Sequence, residues 1–256
     1  MNIHPSAIIQ RNAKISDDVT VGPYSIINEG VEIGAGTQIA SHVLIDVGTI
    51  IGKNCRIHHG AVLGTLPQDL KFEGEKTYLS VGDDTVIREY ATLNRGTHWR
   101  GKTVVGNNCY IMIYSHVAHD CLLGDHVILA NSANLAGHVE IGDYASIGGV
   151  VPVHQFVKIG AHSFIGGGFR VQMDVCPYAL MGGYPLRTLG LNRIGLQRRG
   201  FSDETLQILE KTFRILFKSN LNTTQAIERI KAEVEPIPEV KNILDFIANS
   251  ERGIIK

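Results

Sequence analysis

The stretch Ser115-His116-Val117-Ala118-His119-Asp120 gathers two histidines and a carboxylate midway along a chain that is 44% hydrophobic. Histidine is the side chain best poised to move a proton near neutral pH. A neighbouring carboxylate holds its tautomer and stabilises its charged form. That pairing suits a general base. The two histidines, three apart, also have the spacing of some metal-ligand pairs, and a third reading is polar decoration on a structural repeat. The choice depends on where the backbone aims each side chain.

The backbone announces itself through a period of six. From Ile3 every sixth residue is aliphatic (Ile9, Ile15, Val21, Ile27 and onward) to Leu63, then again at Val81, Ile87 and Leu93, and from Val105 to Val171. Only Asp69, Glu75 and Trp99 break the phase. A glycine often follows the aliphatic, and four residues after it stands a small or β-branched residue such as Ser25, Thr37, Thr49, Cys55, Ala133 or Ala145. Six is the period of neither a free strand nor a helix. A coil of three short strands explains it, since each side then points one aliphatic and one small residue inward while Gly or Asn turns the corners. The predicted fold is mainly β: a parallel β-helix of about 18 residues per coil. The pattern is that of hexapeptide-repeat proteins, and this resemblance implies a left-handed winding.

The repeat breaks at about 64–80 and 94–104, and inserted loops on a solenoid tend to lie over a functional face. Beyond Val171 the period fails. Ser202-Asp203-Glu204 reads as a helix cap with acids in the first turn, followed by Leu206, Leu209, Phe213, Leu216 and Phe217 at helical spacing. Two shorter helical stretches are expected near 223–234 and 238–250. The domains expected are 1–186, the β-helix, and 187–256, a helical domain that covers its open end.

Residues one coil apart form columns about 4.8 Å in step. His119, Gly137 and Gln155 share a column, Asp120 and His138 the next, and His116 lies below Asn134. Val117 points inward, so Ala118 and His116 face out and His119 sits toward a corner. A glycine amide beside the histidine is a candidate oxyanion donor. No serine or cysteine stands in an activated position, so direct acyl transfer to a bound hydroxyl is favoured over a covalent intermediate. Residues three apart on extended backbone diverge, whereas zinc needs ligands converging at about 2 Å. No metal is therefore assigned.

Twenty-four Lys and Arg against 25 Asp and Glu give a net charge of −1, which argues against nucleic-acid binding by the whole surface. No signal peptide or membrane span is recognisable, and the four cysteines form no CxxC pair, so a cytoplasmic location is expected. Arg187, Arg193, Arg198 and Arg199 concentrate near the end of the repeat, as a local basic patch.

In order along the chain stand "PQDLKFEGE" (67–75), "NRGT" (94–97), "HVAHDC" (116–121), "LAGHVEIGD" (135–143), "VHQF" (153–156) and "GLNRIGLQRRGF" (190–201). By these segments the chain resembles the UDP-N-acetylglucosamine O-acyltransferase family over essentially its full length. The resemblance implies transfer of an (R)-3-hydroxyacyl group from acyl carrier protein to the 3-hydroxyl of a UDP-sugar. No cofactor is implied beyond the carrier's phosphopantetheine, and the assembly implied is a homotrimer with sites between subunits. It makes His119 the base, Asp120 its orienting partner and the Gly137 amide the oxyanion donor. Gln68, Asp69, Lys71, His116, His138 and Gln155 would line the substrate groove, Asn192, Arg198 and Arg199 would contact nucleotide or carrier phosphate, and Gly167 would leave room for a long acyl chain. Two departures, Ile194 where the family often has an acid and "GGYPLR" (182–187), fall where nucleotide contacts are expected. A 3-amino UDP-sugar acceptor therefore stays open, as does a zinc hydratase built on the same scaffold.

Overall fold

Short strands, most of them two residues long, follow one another around the three faces of a prism in the computed structural model, which describes residues 2–256. The first face holds eleven strands beginning with Asn2–Ile3, and the second and third hold eight each, beginning with Ile8–Ile9 and Lys14–Ile15. Pairing between successive coils is parallel and in register: Ile3 lies opposite Val21, Ile9 opposite Ile27 and Ile15 opposite Ile33. One turn of the prism therefore takes eighteen residues.

The sixfold aliphatic is the inward residue, as Ile27, Ile45, Leu63, Ile87, Ile111 and Leu135 are fully buried. Each such side chain contributes about 1.5–3 kcal/mol on leaving water. The small residues beside them are buried too, and their polar atoms are satisfied by corner carbonyls: Ser25 Oγ donates to Ala40 O at 2.7 Å and Thr37 Oγ1 to Gly52 O at 2.9 Å.

The insertions keep the phase because their lengths are multiples of six. Ile57 pairs with Ile87 and Leu93 with Val117, so these turns exceed eighteen residues by twelve and by six. Their irregular parts, 66–77 and 95–101, are narrower than the sequence suggested, since Val62–Thr65, Tyr78–Val81, Thr92–Asn94 and Lys102–Val105 extend the flanking strands. Both insertions leave at the corner between the second and third faces.

Gly and Asn turn part of the corners, as expected, at Asn12, Gly30, Gly36, Asn54, Gly60 and Asn108. Other left-handed corner residues carry large rings, including Tyr24, His42, Tyr114, His138 and Tyr144. The left-handed turn is uncommon for such residues. Here it lets rings of successive coils stack outside the prism, His126 on Tyr144 at 4.3 Å and Tyr144 on His162 at 4.9 Å, which offsets the cost.

At the far end Ala179–Gly182 still pairs in parallel with Phe164–Ile165, then returns antiparallel as Arg187–Leu191. Four helices follow: α1 (Arg193–Arg198), which the sequence did not suggest, α2 (Asp203–Lys218), α3 (Thr223–Glu233) and α4 (Pro238–Ala248). Ser202 caps α2 by accepting from Thr205 N, and Leu206, Leu209, Phe213 and Leu216 pack into a core continuous with the last coils. Among the described residues no helix is long and apolar enough to cross a membrane.

Candidate active site

The strand His116–Val117 lies on the second face, and the chain then turns the corner through Asp120, whose φ is 59°. His116 pairs with Asn134 above it, which sets the corner after Asn134–Leu135 over the His119 corner. The stacking is close. A Cβ placed on Gly137 would lie 2.6 Å from His119 Cε1 and 2.8 Å from Nε2, so the imidazole occupies the space a side chain would need. The neighbouring amide of His138 donates to His119 O at 3.0 Å, while among the described residues nothing accepts the Gly137 N–H.

His119 Nδ1 stands 2.8 Å from Asp120 Oδ2. A carboxylate only accepts, so Nδ1 carries the proton and Nε2 is left as the free basic nitrogen. Asp120 itself is 0% exposed. Burial pushes its carboxyl up, but hydrogen bonds from His119, the Thr97 hydroxyl and the Thr97 amide outweigh burial and hold it below the usual range. The donors are Thr97 N at 3.1 and 3.2 Å, Thr97 Oγ1 at 2.7 Å and Arg100 N at 3.2 Å. The pair is thus an imidazole held by a fixed, ionised carboxylate, the arrangement a general base requires.

His138, one coil above Asp120, stacks on Phe156 at 4.3 Å and meets the His119 ring edge-on at 5.1 Å. Its Nδ1 is buried without a hydrogen-bond partner among the described residues and lies 3.9 Å from Asp120 Oδ2. Burial lowers the His138 pKa, against the pull of Asp120 and, more weakly, of Asp69. His116 is engaged at one nitrogen: its Nδ1 pairs with Thr92 Oγ1 at 2.7 Å, and burial and then His119 lower its pKa. The histidine pair weighed as metal ligands, His116 with His119, is not part of a ligand cluster among the described residues. Instead the ligand atoms of His119, Asp120 and His138 lie within 4.8 Å of one another. Those three groups could face one cation, but both Asp120 oxygens are already engaged by N–H and O–H donors, and a zinc ion would have to displace them. Nor is there a thiol nucleophile at this corner, since burial pushes Cys121 up to about 12.

Of the other expected residues, Asp69 reaches His138 through its field, with its Oδ1 accepting from Lys71 N at 3.0 Å. Lys71 lines a 760 Å³ hollow with Glu73, Gly74, Glu75 and His98, and His119 is not part of that lining. Gln68 and Gln155 are exposed. Ala118, expected to face outward, is only 6% exposed. Asn192 is buried as the cap of α1: it accepts from Gly195 N and donates to His162 O. Arg198 is exposed, whereas Arg199 lies over the Tyr144 ring and 3.4 Å from His162 Nδ1. Those two rings belong to the corner between the third and first faces, so one chain does not bring Arg199 to His119. Gly167 is exposed at the corner between the first and second faces, where a Cβ would lie 3.1 Å from Gly149 O. Arg193 is not a free member of the basic patch, as it pairs with Glu210 and Asp203.

The residues missed from the sequence are Thr97 and Arg100. A column of eighteen places residue 102 beneath Asp120, whereas the inserted six bring Thr97, 23 residues back, to the carboxylate. Counted at 24 residues for that turn, the position beneath Asp120 is Gly96, next to Thr97.

The C-terminal part, residues 174–255, matches the family model described as UDP N-acetylglucosamine O-acyltransferase, domain 2, and residues 12–46 and 102–137 match the bacterial transferase hexapeptide model. Among curated relatives, the acyl-[acyl-carrier-protein]–UDP-N-acetylglucosamine O-acyltransferases of Trichlorobacter lovleyi and Syntrophobacter fumaroxidans are 55% and 48% identical, with all of each chain covered. The solved UDP-N-acetylglucosamine acyltransferase of Bacteroides fragilis superposes with a TM-score of 0.97 at 44% identity, over 99% of both chains. That of Moraxella catarrhalis does so with a TM-score of 0.97 at 42% identity, over 100% of both. The fold class is accordingly the left-handed parallel β-helix with a C-terminal helical domain. With relatives of this identity matching it from end to end, the chain belongs to the UDP-N-acetylglucosamine O-acyltransferase family.

Proposed function

We propose that this enzyme transfers an (R)-3-hydroxyacyl group from acyl carrier protein to the 3-hydroxyl of UDP-N-acetylglucosamine, the first step of lipid A biosynthesis. The observation that carries the chemistry is the His119–Asp120 pair, which leaves Nε2 free beside the unpaired Gly137 amide. Nε2 takes the proton of the sugar hydroxyl as its oxygen attacks the thioester carbonyl. Asp120 stabilises the imidazolium that forms, and the Gly137 N–H donates to the developing oxyanion. The tetrahedral intermediate then expels the phosphopantetheine thiolate, which recovers the proton from His119. No covalent acyl-enzyme is needed, in keeping with four buried thiols.

His138, Asp69, Lys71, Gln68, His116 and Gln155 serve as the walls of the substrate groove. The assembly is a homotrimer in which Arg198 and Arg199 of one copy complete the site at His119 of the next. Support comes from Arg199, which stands at a different corner of the prism from His119, and a threefold axis can bring the two corners together. The arginines then grip phosphate of the nucleotide or of the acidic carrier. The enzyme works in the cytoplasm, where its free thiols stay reduced. Mass spectrometry of products from UDP-N-acetylglucosamine, its 3-amino analogue and a mixture of hydroxyacyl carrier proteins tests the reading. A base-labile ester bearing a long acyl chain is expected, from a groove left open at Gly167. Preference for the amino sugar, or for ten-carbon over fourteen-carbon donors, would overturn the acceptor or the chain length.

A further inference from the structure

The insertion between Thr92–Asn94 and Lys102–Val105 does more than close a gap. In a regular coil a corner residue is linked to the one below it by a single backbone hydrogen bond, as His138 N is to His119 O. Beneath Asp120 the chain instead swings outward and returns with three donor groups aimed at the carboxylate: Thr97 N, Thr97 Oγ1 and Arg100 N. The loop is itself fixed. Gly96 N donates to Tyr78 O at 3.1 Å, His98 N to Glu75 Oε1 at 2.9 Å and Gly101 N to Thr97 O at 2.7 Å. The Arg100 guanidinium reaches two coils up, to Glu140 at 2.7 Å. Even the residue before Thr97 is dictated by space, since a Cβ on Gly96 would lie 2.4 Å from Lys102 N.

Resting on the function proposed above, we infer that Thr97 is a positioning residue for the reaction: its hydroxyl fixes the Asp120 carboxylate so that Oδ2 holds His119 with Nε2 free. The hydroxyl and His119 Nδ1 donate to the same oxygen, at 2.7 and 2.8 Å, so the direction of one bond sets the direction of the other. Thr97 is buried, 2% exposed, and its hydroxyl is spent on Asp120. Its effect reaches the reacting atoms only through Asp120. Without it, a fully buried carboxylate loses its shortest contact outside the histidine and gains freedom to rotate away from the imidazole.

The test is a double-mutant cycle with steady-state kinetics and thermal melts. Thr97→Val removes the hydroxyl and keeps the shape. Losing one hydrogen bond to a charged group predicts a kcat lower by about tenfold to a hundredfold, with KM for both substrates within about twofold. Thr97→Ser restores the hydroxyl and is expected within about threefold of the parent. In the Asp120→Asn background Thr97→Val should cost less than about threefold further, because the group it acts through is already disabled. Thr97→Ala repeats the cycle should Val not be accommodated. Equal losses in both backgrounds, a rise in KM at constant kcat, or no recovery with Ser would each overturn the inference. Failure of the parent enzyme to transfer acyl groups would count against the proposed function instead.

Discussion

Gly137→Ala is the sharpest perturbation the site allows. The added Cβ would lie 2.6 Å from His119 Cε1 and 2.8 Å from Nε2, whereas ordinary contact begins near 3.4 Å. Something must yield by about 0.8 Å at Cε1. The backbone is poorly placed to give way, because Ala136 N, His138 N and Phe156 N tie this corner to its neighbours above and below. Gly137 also has no positive φ, so alanine introduces no backbone strain of its own. The imidazole is therefore the part that moves, tilting Nδ1 off its 2.8 Å contact with Asp120 and carrying Nε2 away from the bound hydroxyl. Displacements of about 1 Å in a reacting group cost on the order of a hundredfold in rate. The expected outcome is a kcat about a hundredfold lower with the melting temperature nearly unchanged, measured by thioester consumption and by calorimetry. A kcat within about threefold of the parent would refute the placement of the His119 ring and the closeness of the two coils.

Two further outcomes follow from the electrostatics. Burial, and then Arg199, lower the His162 pKa to about 4 from an ordinary 6.5, with Asp143 opposing, while Tyr144 and Tyr178 stack on its ring. The unfolded chain takes up this proton first as pH falls, so the stability His162 supplies is complete above about pH 6.5 and is lost between there and about pH 4. His162→Phe keeps the stack and should flatten the decline of melting temperature over that range; an unchanged slope would show that His162 is not held neutral. Chelation is the other. With Asp120 fully engaged by hydrogen-bond donors, protein treated with a strong chelator should keep its acyl-transfer rate, and recovery of lost activity by added zinc would revive the metal reading of His119, Asp120 and His138.

Much of this architecture was legible because the solenoid is nearly one-dimensional: each coil meets only the coils above and below, so spacing in sequence becomes distance in space. Above Val105 the coils are uninterrupted, and eighteen-residue columns correctly set Gly137 over His119 and His138 over Asp120. Below it the insertions preserve the sixfold phase while breaking the column count, which hid Thr97. The identity of corner residues was only partly legible, since steric preference alone names Gly and Asn, which turn some corners but not all. Stacking between coils is a tertiary effect and admits His, Tyr and Asp. The C-terminal helices were readable from Ser202 and the apolar spacing after it, but α1 is too short to show a period. Arg193 looked like part of a basic patch until α2 placed Glu210 and Asp203 against it. Long-range partners of that kind leave no local trace in the sequence.

The central claim is that His119 is the general base, and kinetics of His119→Ala test it most directly. The account predicts a kcat lower by about a hundredfold to ten-thousandfold, with the melting transition retained. Near-normal turnover in that variant would contradict it.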